Sequence, residues 1–107
     1  MTIPHQRIIL LGGGGHAAVV AEAARRAGHA IVAIASRDEP VRGTDACDPF
    51  HAVRWLGDPD THAGAASIRE EIGRGARVII AVGHAELRAR WAKAFAESVS
   101  DAILDPF

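Results

Sequence analysis

Tyrosine is absent from this 107-residue chain, and three Phe and two Trp supply all of its aromatic surface. So sparse a set leaves little for the base-stacking platforms that single-stranded nucleic acid binders use. An excess of charge of one sign is lacking too. A net charge of −1 gives no pull toward nucleic acid or an anionic membrane surface. Cys47 is the single cysteine, which excludes an internal disulfide and fits a reducing compartment, here read as cytoplasmic. It lies in the polar stretch Thr44-Asp45-Ala46-Cys47-Asp48, a loop on this reading, where neighbouring carboxylates disfavour the thiolate; a free thiol without a role is expected. No apolar run approaches the ~20 residues of a membrane span, and the glycines after Leu11 interrupt the N-terminal run far short of a signal-peptide core.

What is present is ordinary for one small globular domain: 49% hydrophobic and 23% charged residues, in a length that buries roughly 60–70% of the unfolded surface. The chain is organised around Ile8-Ile9-Leu10-Leu11, a short apolar run that reads as a buried parallel strand, followed by Gly12-Gly13-Gly14-Gly15-His16 and a helix. On that helix, expected over His16–Ala27, the residues Ala17, Val20, Ala21, Ala24 and Ala27 share one face, and Glu22 stands one turn before Arg26. Gly28 ends it. His29–Ala35 reads as a second strand and Ser36–Asp48 as loop. His51–Leu56 is a brief extended piece. A second helix is expected over Pro59–Ile72, with Asp58 as its N-cap and Ala65, Ile68 and Ile72 inward. Arg77–Val82 is the third strand, Ala85–Glu97 the third helix with Leu87, Trp91, Ala94 and Phe95 as its apolar stripe, and Asp101–Leu104 a candidate fourth strand. The pattern βαβαβα predicts an α/β fold, a small Rossmann-like three-layer sandwich on a parallel sheet of three to four strands.

The glycines carry the chemistry. They permit a sharp turn and close approach of a ligand, and a helix N-terminus behind them favours an anion. Gly12-x-Gly14-x-x-Ala17 and Gly13-x-Gly15-x-x-Ala18 both satisfy a dinucleotide fingerprint, so the pattern marks a phosphate-type turn without saying which ligand fills it. His16 and His84 both follow strands at the carboxyl end of the sheet, where α/β folds bind ligands. Two readings stand for them: a pair facing one crevice, or two solvated helix-start residues. Ser36-Arg37-Asp38 sits where a dinucleotide domain reads the ribose; a Ser-Arg pair suits the 2′-phosphate of NADP, and a plain polar loop end is the other reading. No metal site is proposed, because the two histidines lack a third partner at ligand spacing. Glu70-Glu71 and Asp58/Asp60 read as a solvated helix face and a cap, Trp55 and Trp91 as packing residues.

Leu11-Gly12-x-Gly14-Gly15-His16-Ala17-x-Val19-Val20, Leu56-Gly57-Asp58, and Val78-Ile79-Ile80-Ala81-Val82-Gly83 with Leu87-Arg88 together resemble the N-terminal domain of the NeuD/PglD-like sugar O- and N-acyltransferases. The resemblance covers nearly the whole chain. It implies a Rossmann-like domain, spanning 1–107, that holds a nucleotide-linked sugar, typically a UDP-amino sugar. Carried over by position, Gly12, Gly14, Gly15 and His16 form the diphosphate turn, with Gly13 of the same glycine run a further candidate contact, Ser36, Arg37 and Asp38 form the nucleoside-reading loop, and Gly83 and His84 the sugar-side turn. In the family a left-handed β-helix follows, which trimerises, binds acetyl-CoA and carries the catalytic histidine. This sequence stops where that β-helix would begin, so no catalytic residue and no cofactor is assigned within it, and the chain alone is not expected to acetylate. Three positions depart from the family's pattern: Ala18 for a basic residue, Ser36-Arg37 for an Asp pair, and His84 for Asp or Asn. The runner-up reading is an NAD(P)-binding redox or sensing module.

Overall fold

In a computed structural model, which describes residues 6–40, 50 and 53–95, the chain runs β1 (Arg7–Leu11), α1 (Gly14–Arg26), β2 (Ala30–Ala35), β3 (Arg54–Trp55), α2 (His62–Gly73), β4 (Arg77–Ile80) and α3 (Ala85–Ala94). The sheet is entirely parallel, in the order β3-β2-β1-β4. The central strand β1 has apolar residues at four of its five positions because both of its faces are covered. Successive side chains point to opposite faces. Ile9 and Leu11 join the core formed with Ile68 of α2 and with Trp91 and Phe95 of α3 and its end. Ile8 and Leu10 pack instead with Ala17 and Ala21 of α1. Burying each such Ile or Leu contributes roughly 1.5–3 kcal/mol, so β1 anchors both layers at once. The α/β, Rossmann-like sandwich is the architecture the sequence predicts.

On α1 the residues Ala17, Ala21 and Ala24 are fully buried, and their lack of bulk brings the helix close to the sheet. Glu22 and Arg26 pair on its wet side at 2.7 Å. Ala27 is exposed as the C-cap, outside the buried face expected for it, because the helix ends at Arg26. Ala94, expected in the stripe of α3, is likewise exposed, while Trp91 and Phe95 are buried.

The second helix starts later than expected. Thr61, not Asp58, is its N-cap, accepting the Gly64 N–H at 3.0 Å. Asp58 and Pro59 form the turn before it: the Asp58 carboxylate accepts the Asp60 N–H at 2.8 Å, and its carbonyl accepts the Thr61 hydroxyl at 2.7 Å. That turn lies against the helix so closely that a Cβ at Gly64 would collide with the Asp58 carbonyl.

Among the described residues the sheet has four strands, the extra one being β3 within the brief extended piece; the candidate strand Asp101–Leu104 lies outside the described residues, as does Cys47. Glu71 is a further correction. It was expected on a solvated face but is 4% exposed. Its carboxylate accepts from Arg74 at 3.0 Å, Arg7 at 3.3 Å and Arg54 at 3.4 Å, which joins α2 to the amino ends of β1 and β3.

Candidate functional site

The carboxyl ends of the strands carry the turns that matter. β2 lies on one side of β1 and β4 on the other, so the topology reverses beside β1, where open α/β sheets form a ligand crevice. This arrangement brings Gly12–His16, Ser36–Asp38 and Gly83–His84 to a single edge of the sheet. Hydrogen bonds beyond the regular ladder stitch that edge: Gly12 N–H to the Ala35 carbonyl at 2.7 Å, Ala81 N–H to Leu11 at 2.8 Å, Leu56 N–H to Ile34 at 2.8 Å and Ser36 N–H to Gly57 at 3.0 Å.

The glycines divide by role. Gly12 has φ +122°, and a Cβ there would lie 2.5 Å from Val82 Cγ1 and 2.7 Å from the Ala81 carbonyl oxygen. It is glycine so that β1 and the end of β4 can approach. Gly13 is extended and exposed, and a Cβ on it would meet only the Ser36 side chain at 3.6 Å or more. Gly14 and Gly15 open α1.

The start of α1 differs from those of its fellows. Its N-cap Gly13 has no side chain to accept an N–H, and, as in α2, its first turn has no acidic residue. In α2 Thr61 performs that duty, and in α3 His84 Nδ1 accepts the Leu87 N–H at 3.3 Å with Glu86 in the first turn. Among the described residues no side chain caps the N–H groups at the head of α1, which stand at the positive end of the helix dipole, open to water or a bound acceptor.

Beside this helix end a shallow depression of about 310 Å³ is lined by Gly13, Ser36, Arg37, Asp38 and Pro40. Arg37 and Asp38 are exposed, and Ser36 is buried. The Ser36 hydroxyl donates to the Asp38 carbonyl at 2.6 Å, and its carbonyl accepts the Trp55 indole N–H at 3.3 Å. His16, Gly83 and His84 are exposed at the same edge but do not line the depression. The His84 ring turns toward its own helix. Because Nδ1 accepts there, the neutral ring carries its proton on Nε2, which remains a donor.

Sequence reading missed a clasp beside this edge. Asp60, read as part of a cap, accepts from Arg90 through both oxygens, at 3.0 and 2.6 Å, and from the Trp91 indole N–H at 2.9 Å. The Arg90 hydrogen bond, opposed by partial burial and helped by Trp91 and the field of Arg37, holds the Asp60 carboxyl below the ordinary carboxylate range. The partners stand 30 and 31 residues apart, beyond the reach of any local pattern. Among the described residues no group of three or more His, Cys, Asp or Glu could hold a metal ion, and no helix is long and apolar enough to cross a membrane.

These features define a small Rossmann-like α/β domain with a glycine-rich strand–helix turn at its switch point. The chain belongs to the PglD N-terminal domain family, whose model matches residues 7–95. No curated protein and no solved structure matches it.

Proposed function

We propose that this chain is the nucleotide-sugar-binding domain of a PglD/NeuD-type sugar acetyltransferase and takes a UDP-linked amino sugar. The observation that carries this reading is the uncapped, glycine-lined head of α1 beside the Gly13–Pro40 depression, in a chain of the PglD N-terminal domain family. On this reading the diphosphate rests on the N–H groups of Gly13–His16, and the nucleoside lies over Arg37 and Asp38. The sugar extends across the switch point toward Gly83 and His84, where the Nε2–H of His84 is a donor for a sugar oxygen. Gly12 shapes the turn from beneath. The domain binds and orients; acetyl-CoA and the acyl-transfer chemistry belong to the family's β-helix domain, as does trimerisation. Its place is cytoplasmic, with neither nucleic acid nor membrane as partner.

One observation favours a second reading. Arg37 is exposed at the rim of the depression and pairs with no carboxylate among the described residues, the placement that suits a ribose 2′-phosphate, as in NADP. Calorimetric titrations with UDP-N-acetylglucosamine and with NADPH in one buffer separate the two. Binding of the UDP-sugar alone is expected, with a thermal shift beside it. Saturation at a hundred times Kd adds about 2.7 kcal/mol, enough to raise Tm by roughly 10 °C or more in so small a domain. Binding of NADPH alone overturns the proposal in favour of a dinucleotide module. Silence from both removes the ligand reading altogether.

A further inference from the structure

We infer that Trp55 is a positioning residue that sets the ligand-reading conformation of the loop after β2, and that Ser36 is the point it grips rather than a ligand contact. Ser36 is 6% exposed. All three of its polar groups are committed within the protein: the N–H to the Gly57 carbonyl, the carbonyl to the Trp55 indole N–H, and the hydroxyl proton to the Asp38 carbonyl. A hydroxyl that has given its one proton to a carbonyl has none left for a phosphate oxygen. The effect of these bonds is to bend the chain tightly after β2, so that the Arg37 and Asp38 side chains stand exposed at the depression. Trp55 holds the start of that bend from the neighbouring strand, and its ring packs against the α1-side core. The aim of the two charged side chains is therefore fixed from β3, outside the loop itself. This inference rests on the nucleotide reading proposed above, with the nucleoside over Arg37 and Asp38 and the diphosphate at the head of α1.

Proton–nitrogen correlation spectra of the chain, titrated with UDP and separately with inorganic pyrophosphate, test it. The two tryptophans give two indole signals, and Trp91, bonded to Asp60, is the internal reference. UDP is expected to move the Trp55 indole and Ser36 amide signals, whereas pyrophosphate leaves the Trp55 signal in place. Trp55→Phe keeps a ring against the core and deletes the donor. It should weaken UDP binding roughly three- to tenfold, the worth of one hydrogen bond, leave pyrophosphate affinity unchanged, and speed exchange of the Ser36 amide, which is bonded to the Gly57 carbonyl. A Trp55→Phe chain that binds UDP as the wild type does, or that loses UDP and pyrophosphate alike, overturns the positioning role. Should the wild type bind neither probe, the nucleotide reading falls, and exchange decides the rest: acceleration at the Ser36 amide with the Trp91 end unchanged upholds the grip of Trp55, and unchanged exchange there overturns it. If Trp55→Phe fails to fold, the wild-type spectra decide: a Trp55 indole signal moved by UDP and not by pyrophosphate upholds the role, and one that UDP leaves in place overturns it.

Discussion

At the scale of single residues, adjacent glycines serve opposite ends. Gly12 is required by the fold: its φ of +122° is strained for any other residue, and a Cβ would press on Val82 and Ala81. Gly12→Ala should cost about 1–3 kcal/mol, read as a lowered midpoint in a denaturant melt. Gly13 is in extended backbone that suits a β-branched residue, with only an ordinary contact waiting at Ser36. Because Gly13 is also the N-cap of α1, where Val is less favoured than Gly, Gly13→Val should cost about 1 kcal/mol and leave the domain folded. Its methyl groups would stand in the depression, so calorimetry should show UDP-N-acetylglucosamine binding lost; undiminished affinity would remove Gly13 and the depression from the site. The sequence made a tight turn legible here, yet the degenerate fingerprint could not assign these roles. What decides them is the backbone opposite, near Ala81 and Val82, some seventy residues on. The same holds for Ser36, whose three internal bonds run to Gly57, Trp55 and Asp38 and are invisible in the Ser-Arg-Asp string.

At the scale of elements, α3 is tied to the turn before α2 by Asp60, Arg90 and Trp91. Because the folded-state pKa of Asp60 is depressed, the carboxylate's contribution is complete above the unfolded value, about 3.9, and is lost as pH falls through the lower folded value. Asp60→Asn removes the charge and keeps an acceptor for the Trp91 N–H. Relative to wild type, this variant should be less stable at pH 7 and the difference should shrink below about pH 4, as measured by urea melts at several pH values. The pair is half open to water, with Arg90 54% and Asp60 32% exposed at the side chain, so the gap at neutral pH should be modest. Helix existence and type were legible from periodicity, whereas the start of α2 was not. Asp58-Pro59 and Thr61 are both sound start signals, and Thr61 wins because the Asp58 carbonyl and carboxylate are occupied in closing the turn.

At the scale of the whole molecule, the parallel sandwich was legible because β1, β2 and β4 are covered on both faces and read as unbroken apolar runs. The polar hub at Glu71 was not, since Glu70-Glu71 on a helix looks like any solvated pair. Arg7, Arg54 and Arg74 converge on Glu71 from β1, β3 and the C-cap of α2, with side chains 43%, 59% and 55% exposed. Glu71→Gln retains the volume and loses the charge; the half-wet arginines can turn to solvent, so the loss should be about 1–2 kcal/mol and not the larger penalty of stranding a buried charge. Thermal melts should show it, while affinity for UDP-N-acetylglucosamine stays as in wild type, because Glu71 sits at the amino edge and the turns proposed to hold the ligand sit at the carboxyl edge. The length of β1, five residues or roughly 16 Å, separates these two polar centres. Mutational drift can therefore act on the two edges as separate traits. A duplicated copy is free to acquire a new ligand by changing the residues that follow its strands, while the arginines gathered around Glu71 go on keeping it folded.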